Sequence, residues 1–164
     1  MIKQRYEEAV VFHGHRCPGL AVGLRAAWEA QLRLGTDIVC VAESMNCAVD
    51  GFQSLLGCTF GNGTLLCRPT GKCAFSFYDN NSGESFRLIQ GQLPQGLAME
   101  EKIDFILTAP IEQVFVLGPV RRPLESKKKR APALICERCG ETTDEDKTKR
   151  VNGQILCPDC AEEA

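Results

Sequence analysis

The chain has 164 residues and a mass of 18.0 kDa, room for one full domain or for one of about 120 residues with a small module appended. Hydrophobic residues at 44% and charged residues at 24% exclude disorder as the ground state, and a net charge of -2 excludes a chain-wide basic surface for nucleic acid. No apolar run reaches the ~18 residues of a membrane span, and the opening Met1-Ile2-Lys3-Gln4-Arg5-Tyr6-Glu7-Glu8 is too charged for a secretory signal, so a cytoplasmic address with no membrane contact is expected.

In chain order, Tyr6 to Phe12 reads as a short helix. Pro18 suits the first position of a second helix, Gly19 to Leu34, which Gly35 closes. Asp37 to Ala42 is a β-branched strand. Ala48 to Leu56 suits a helix closed by Gly57. Thr64 to Cys67, Lys72 to Tyr78 and Ser85 to Ile89 read as three strands. Turn chemistry at Pro69-Thr70-Gly71 and Asn80-Asn81-Ser82-Gly83 predicts that they form an antiparallel meander. Met99 to Leu107 is helical and Val114 to Val120 a last strand. The class is therefore α+β, an antiparallel sheet with helices.

Charge divides the chain further. Residues 1–120 carry -3, the decapeptide 121–130 carries +5, and residues 131–164 carry -4. The decapeptide has almost no apolar side chain, so it reads as a basic linker. The expected organisation is a core domain at 1–120, the linker at 121–130 and a small module at 131–164.

Ten cysteines stand beside only two histidines. In a reducing compartment that balance points to metal or redox chemistry rather than to disulfides. Cys136-x2-Cys139 and Cys157-x2-Cys160 are separated by 17 residues, the spacing of a four-thiolate zinc finger. Each CxxC turn brings two sulfurs to one point, and two turns complete a tetrahedron around Zn(II). A module of this size folds poorly on apolar content alone, so the metal supplies its stability. Such a closed site is structural rather than catalytic. The finger is acidic, so nucleic acid is not its expected partner, and a protein contact suits it better.

Both histidines lie with a cysteine in Phe12-His13-Gly14-His15-Arg16-Cys17-Pro18-Gly19. A Cys17 sulfur at the helix start would be favoured as thiolate, and imidazole with thiolate selects zinc or a similar late transition metal. A second segment runs from Cys47 through Asp50 to Gln53, followed by Gly57-Cys58-Thr59-Phe60-Gly61-Asn62-Gly63. Its glycines allow close backbone approach at Cys58. Cys40, Cys67 and Cys73 lie in strand runs and read as core filler.

These segments resemble the signature of the FmdE family, the group named for a component of formylmethanofuran dehydrogenase, and Gly71-Lys72-Cys73-Ala74-Phe75-Ser76-Phe77 resembles its following strand. The C-terminal cysteines resemble the zinc module appended in many members. The resemblance implies an α+β core with a cleft, a treble-clef-like finger, a homodimer, and association with one-carbon metabolism through a molybdenum or tungsten enzyme and its partner subunits. It leaves the activity open.

Two functional readings follow. In the first, the chain is a metal-dependent enzyme or an oxidoreductase subunit. His15, Cys17 and Cys58 hold a second transition metal, zinc or a neighbour, with Cys47 or His13 as a fourth or nearby group. Three protein ligands leave one position for water or substrate. Asp50 acts as a base or orients a ligand, Lys72 holds an anionic group, and thiol redox chemistry by Cys17 with Cys58 or Cys47 is the variant within this class. In the second reading the chain is a regulator or adaptor whose finger and linker bind a protein or nucleic acid.

Overall fold

The computed structural model describes residues 1–124 and 131–163. The chain divides into two compact units, Met1–Leu124 and Glu125–Ala164.

The first unit runs α1 (Ile2–His13), α2 (Pro18–Leu34), β1 (Ile38–Ala42), α3 (Ala48–Leu56), β2 (Leu65–Cys67), β3 (Ala74–Asp79), β4 (Ser85–Gln90), α4 (Met99–Thr108), α5 (Ile111–Val114) and β5 (Phe115–Gly118). Local chemistry sets the helix ends. Gly14 adopts φ 92° and returns its N–H to Val10 O, closing α1. Cys17 caps α2 with Pro18 inside the first turn, where a missing N–H costs nothing. Gly57, at φ 65°, closes α3.

The five strands lie in the order β2-β1-β3-β4-β5. β3, β4 and β5 run antiparallel in sequence, and β1 is antiparallel to β3. The expected meander is corrected at its first member. β2 pairs parallel with β1, Cys40 opposite Leu65 and Ala42 opposite Cys67, so β1 stands between β2 and β3. The cause is α3, which makes β1-α3-β2 a crossover unit, the connection parallel strands require. Pro69-Thr70-Gly71 is accordingly no hairpin. The Thr70 and Gly71 N–H groups donate to Glu43 O and fold this joint over the end of β1.

One sheet face meets the helices. Phe52 of α3 is fully buried and stands edge-on to Phe75 and Phe77, with ring centroids 4.9 and 5.6 Å apart. Burying a side chain of this size stabilises the fold by about 3 kcal/mol. On the opposite face Val39, Val41 and Tyr78 pack with Leu66, Val120 and Leu124, and the Tyr78 hydroxyl donates to Arg122 O at 2.8 Å. Residues 121–124, read from charge as linker, therefore belong to the first unit. The charge pattern hid an apolar anchor at Leu124. The rest of that decapeptide, with its Lys127–Arg130 cluster, lies outside the described residues.

Helices α2 and α3 cross at unusually short range. A Cβ on Gly23 would lie 2.0 Å from Ala48 O, and one on Gly51 would lie 2.4 Å from Leu24 N. Only paired glycines allow the two backbones to touch. This crossing carries the start of α3 against the start of α2.

The second unit holds two hairpins, β6 (Ala133–Ile135) with β7 (Thr142–Asp144) and β8 (Lys149–Val151) with β9 (Gln154–Leu156), then α6 (Pro158–Glu162). Asn152-Gly153 makes the β8–β9 turn, both residues at positive φ, as a two-residue hairpin requires.

Candidate metal centres

The HxHxC loop follows from the ends of α1 and α2. Gly14 reverses the chain after His13, and Cys17 starts the next helix four residues on. The Leu20 N–H donates to Cys17 Sγ at 3.3 Å, so the sulfur faces the positive end of α2. The crossing at Gly23 and Gly51 then sets Cys47, which precedes α3, against Gly19. A Cβ at Gly19 would meet Cys47 Cβ at 3.1 Å and the sulfurs of Cys47 and Cys17 at 3.8 and 3.9 Å.

The result is a four-membered cluster. One ligand atom from each of His13, His15, Cys17 and Cys47 lies within 4.8 Å of every other. His13 Nε2 is 3.7 Å from Cys17 Sγ. Tetrahedral zinc with bonds of about 2.0–2.3 Å spaces its ligands by about 3.3–3.8 Å, so the His13–Cys17 separation suits such an ion in spacing and the whole donor set suits it in chemistry. His15 is exposed and the other three are half-buried. Burial, and then the adjacent Cys17 thiol, push the Cys47 thiol up.

Asp50 completes the arrangement from the next turn of α3. His13 Nδ1–H donates to Asp50 Oδ2 at 2.6 Å, and Gln53 Nε2 donates to Asp50 Oδ1 at 2.9 Å. This fixes the ring orientation and leaves the Nε2 lone pair facing Cys17, as the carboxylate behind a metal-binding histidine does. Of the two roles the sequence offered for Asp50, the geometry fits that of orienting His13.

Two sequence expectations are revised by position, and one is narrowed. Cys58 does not join the cluster. It is 2% exposed, donates to Ile38 O at 3.2 Å and lies 3.6 Å from the Cys40 sulfur. It follows the far end of α3, and the crossing brings the near end, with Cys47, to Cys17. Cys47, which the sequence offered as a fourth ligand, a nearby group or a redox partner of Cys17, stands in the ligand set beside His13 and His15. Lys72 is exposed on the joint before β3, where its charge acts on Glu43 and helps to lower that carboxyl. Cys73 donates to Gln90 Oε1 at 2.8 Å, and burial pushes its thiol up. Cys40 is likewise buried with its thiol pushed up.

Two groups that the sequence did not flag support the loops. Glu43 accepts from Arg87 Nε at 2.6 Å and from the Thr70 hydroxyl at 3.0 Å. Arg87, foremost, holds the Glu43 carboxyl below the usual range, and this buried pair anchors the start of the loop that delivers Cys47. Tyr6 is 1% exposed and burial raises its pKa, keeping a neutral hydroxyl beside Cys17.

In the second unit, Cys136, Cys139, Cys157 and Cys160 also bring one sulfur each within 4.8 Å of the others, with Cys139 Sγ and Cys157 Sγ 3.9 Å apart. Gly140, at positive φ, returns its N–H to Cys136 O and makes the first knuckle. The β8–β9 hairpin ends at Cys157, which caps α6, and Cys160 lies in its first turn. Knuckle, hairpin and helix form the treble-clef-like finger the family resemblance implied. The backbone N–H groups of Cys139, Cys157 and Arg138 hold the Cys136 thiol down to about 6, whereas burial and the neighbouring thiols push Cys160 up to about 12.

Comparison with known proteins follows this division. The FmdE family model, described as Molybdenum formylmethanofuran dehydrogenase operon, matches residues 12–116. The chain belongs to the FmdE family. Residues 132–164 of this FmdE chain match the prokaryotic dksA/traR C4-type zinc finger. A solved structure from Syntrophus aciditrophicus, of a tungsten formylmethanofuran dehydrogenase FmdE-like protein, shares the fold at TM-score 0.72 and 24% identity, over 99% of this chain and 93% of that one. An Archaeoglobus fulgidus protein described as "Probable S-adenosyl-L-methionine-binding protein" is 34% identical over 87 residues, 47% of this FmdE chain. The alignment covers 24% of that protein's length. No helix among the described residues is long and apolar enough to cross a membrane.

Proposed function

We propose that the Met1–Leu124 unit holds a zinc-class ion through His13 Nε2, His15, Cys17 and Cys47, and that the chain is a metal-dependent accessory subunit in one-carbon metabolism. The observation that carries the metal assignment is the convergence of four soft and borderline donors with a carboxylate behind His13. A bound ion of this class supplies Lewis acidity and holds both sulfurs as thiolates. The protein's own groups do the rest. Asp50 and Gln53 hold the His13 proton at Nδ1, the Leu20 N–H of the first turn of α2 donates to Cys17 Sγ, and His15 stands on the exposed side as the ligand a small molecule can displace.

The link to a molybdenum or tungsten enzyme is supported by the family's association with a molybdenum formylmethanofuran dehydrogenase operon and by the tungsten-enzyme name of the Syntrophus aciditrophicus neighbour. Homodimerisation, partner subunits and a cytoplasmic address belong to the same reading, the first two resting on family membership alone. The finger serves in it as a structural module. An adaptor role for the finger is favoured by its own match to the dksA/traR type.

Metal analysis of single variants tests the assignment. Wild-type protein should bind two equivalents, one per cluster. Cys17→Ser and Cys47→Ser should each retain only the finger equivalent, Cys136→Ser only the core equivalent, and Cys58→Ser both. A wild-type chain with one equivalent, kept by Cys17→Ser, overturns the core site.

A further inference from the structure

The HxHxC loop is held by a residue that precedes the family match. Tyr6, on α1, accepts the Cys17 N–H at its hydroxyl oxygen and donates the hydroxyl proton to Cys17 O, each at 3.0 Å. One hydroxyl thus satisfies both backbone polar groups of a residue that carries a metal ligand. Residues 12–116 match the family model, so this contact comes from outside the matched segment.

The helix geometry gives the contact a consequence. Tyr6 and His13 are seven residues apart on α1, two turns and about 10.5 Å along the axis on one face. Ala9, between them on that face, is fully buried. The helix therefore holds Cys17 at two points. Tyr6 fixes its backbone, and His13 Nε2 stands 3.7 Å from its sulfur. Gly14 leaves the intervening loop with little stiffness of its own. Arg16 adds a second tie. Its guanidinium donates to Glu7 on α1 and to Glu100 on α4, and it lies 5.3 Å from the centre of the Tyr6 ring.

We infer that Tyr6 is a positioning residue of the core metal site: its hydroxyl holds the Cys17 backbone so that the sulfur and His13 Nε2 stand at ligand spacing before an ion arrives. The inference rests on the metal assignment above, and the test separates the two. Tyr6→Phe keeps the buried ring and removes only the hydroxyl.

Zinc affinity of the full-length chain would be measured by chelator competition, well below the unfolding temperature, with the finger equivalent as internal reference. Tyr6→Phe should weaken the core equivalent by about 10-fold or more, the size typical for loss of a group supporting a metal ligand, and leave the finger equivalent unchanged. A role in packing alone would lower the melting temperature of metal-free protein without altering core affinity. Core affinity in Tyr6→Phe within about twofold of wild type overturns the inference, since support of a ligand is worth more than that. A wild-type core that takes no zinc overturns the metal assignment instead. Should the variant fail to fold, amide exchange in wild-type protein decides: a protected Cys17 N–H supports the clamp, and exchange at loop rates overturns it.

Discussion

Asp50 serves two partners at once, accepting from His13 Nδ1 with one oxygen and from the Gln53 amide with the other. A histidine ligand free to exchange tautomers presents its lone pair only part of the time, and the carboxylate removes that freedom. Asp50→Ala is expected to weaken core zinc about 10- to 100-fold in the same chelator competition, with the finger unaffected. Asp50→Asn, whose amide oxygen still accepts from Nδ1–H, should recover part of the loss. At this scale the sequence was legible in residue type and less so in assignment. His13, His15 and Cys17 were all visible from their spacing. Cys47 and Cys58 both lay within reach of the same argument, and spacing gave no means of choosing between them. Tyr6 had no signal, because a hydroxyl that serves a backbone eleven residues away leaves no local motif.

Among the elements, the helix crossing decides the site. α2 and α3 touch through Gly23 and Gly51, and the backbone of one helix occupies the space a side chain on the other would need. Gly51→Ala places a methyl 2.4 Å from Leu24 N and 2.6 Å from Gly23 C. These are backbone atoms, so the helices must part. The expected cost is about 2 kcal/mol or more, read as a lowered melting temperature, together with weaker core zinc as Cys47 moves from Cys17. Ala48→Gly, beside the same contact, adds no atoms and should leave the spacing intact. The ends of α2 and α3 were legible, since Pro18, Gly35 and Gly57 act through their own backbone chemistry, whereas the first helix, expected from Tyr6, begins four residues earlier at Ile2. The strand order was not. Turn residues report on a local bend, and Pro69-Thr70-Gly71 does bend, but only the path of α3 determines that β1 enters between β2 and β3. Glycines on facing positions of two helices were the available sign of the close crossing.

At the scale of the whole molecule, the two units differ in what keeps them folded. Met1–Leu124 has an apolar core built from Phe52, Phe75, Phe77 and Leu88, among others. Among the described residues of the second unit, three of the four buried core residues are cysteines, with Leu156 the fourth. Apparent binding energies of about 10–16 kcal/mol are typical where zinc substitutes for a core. Excess chelator is therefore expected to abolish the dispersed amide signals of residues 131–163 while those of β1, β3 and β4 persist. Simultaneous loss of both sets would count against separate cores. Composition made this asymmetry readable, because a thiol-rich module of this length has little else to bury. It missed the anchor at Leu124, a single apolar residue beyond a pair of arginines.

Strand β5 closes the sheet on one side, and among the described residues it is hydrogen-bonded to β4 alone. The edge away from β4 is flanked by Val116 and Leu117, both about half exposed. An unpaired strand with apolar side chains is a template for adding a further strand, and only its shortness, four residues ended by Gly118, limits how far such growth can run. Concentrated or partly denatured protein would therefore aggregate from this edge, through backbone pairing that needs neither metal centre.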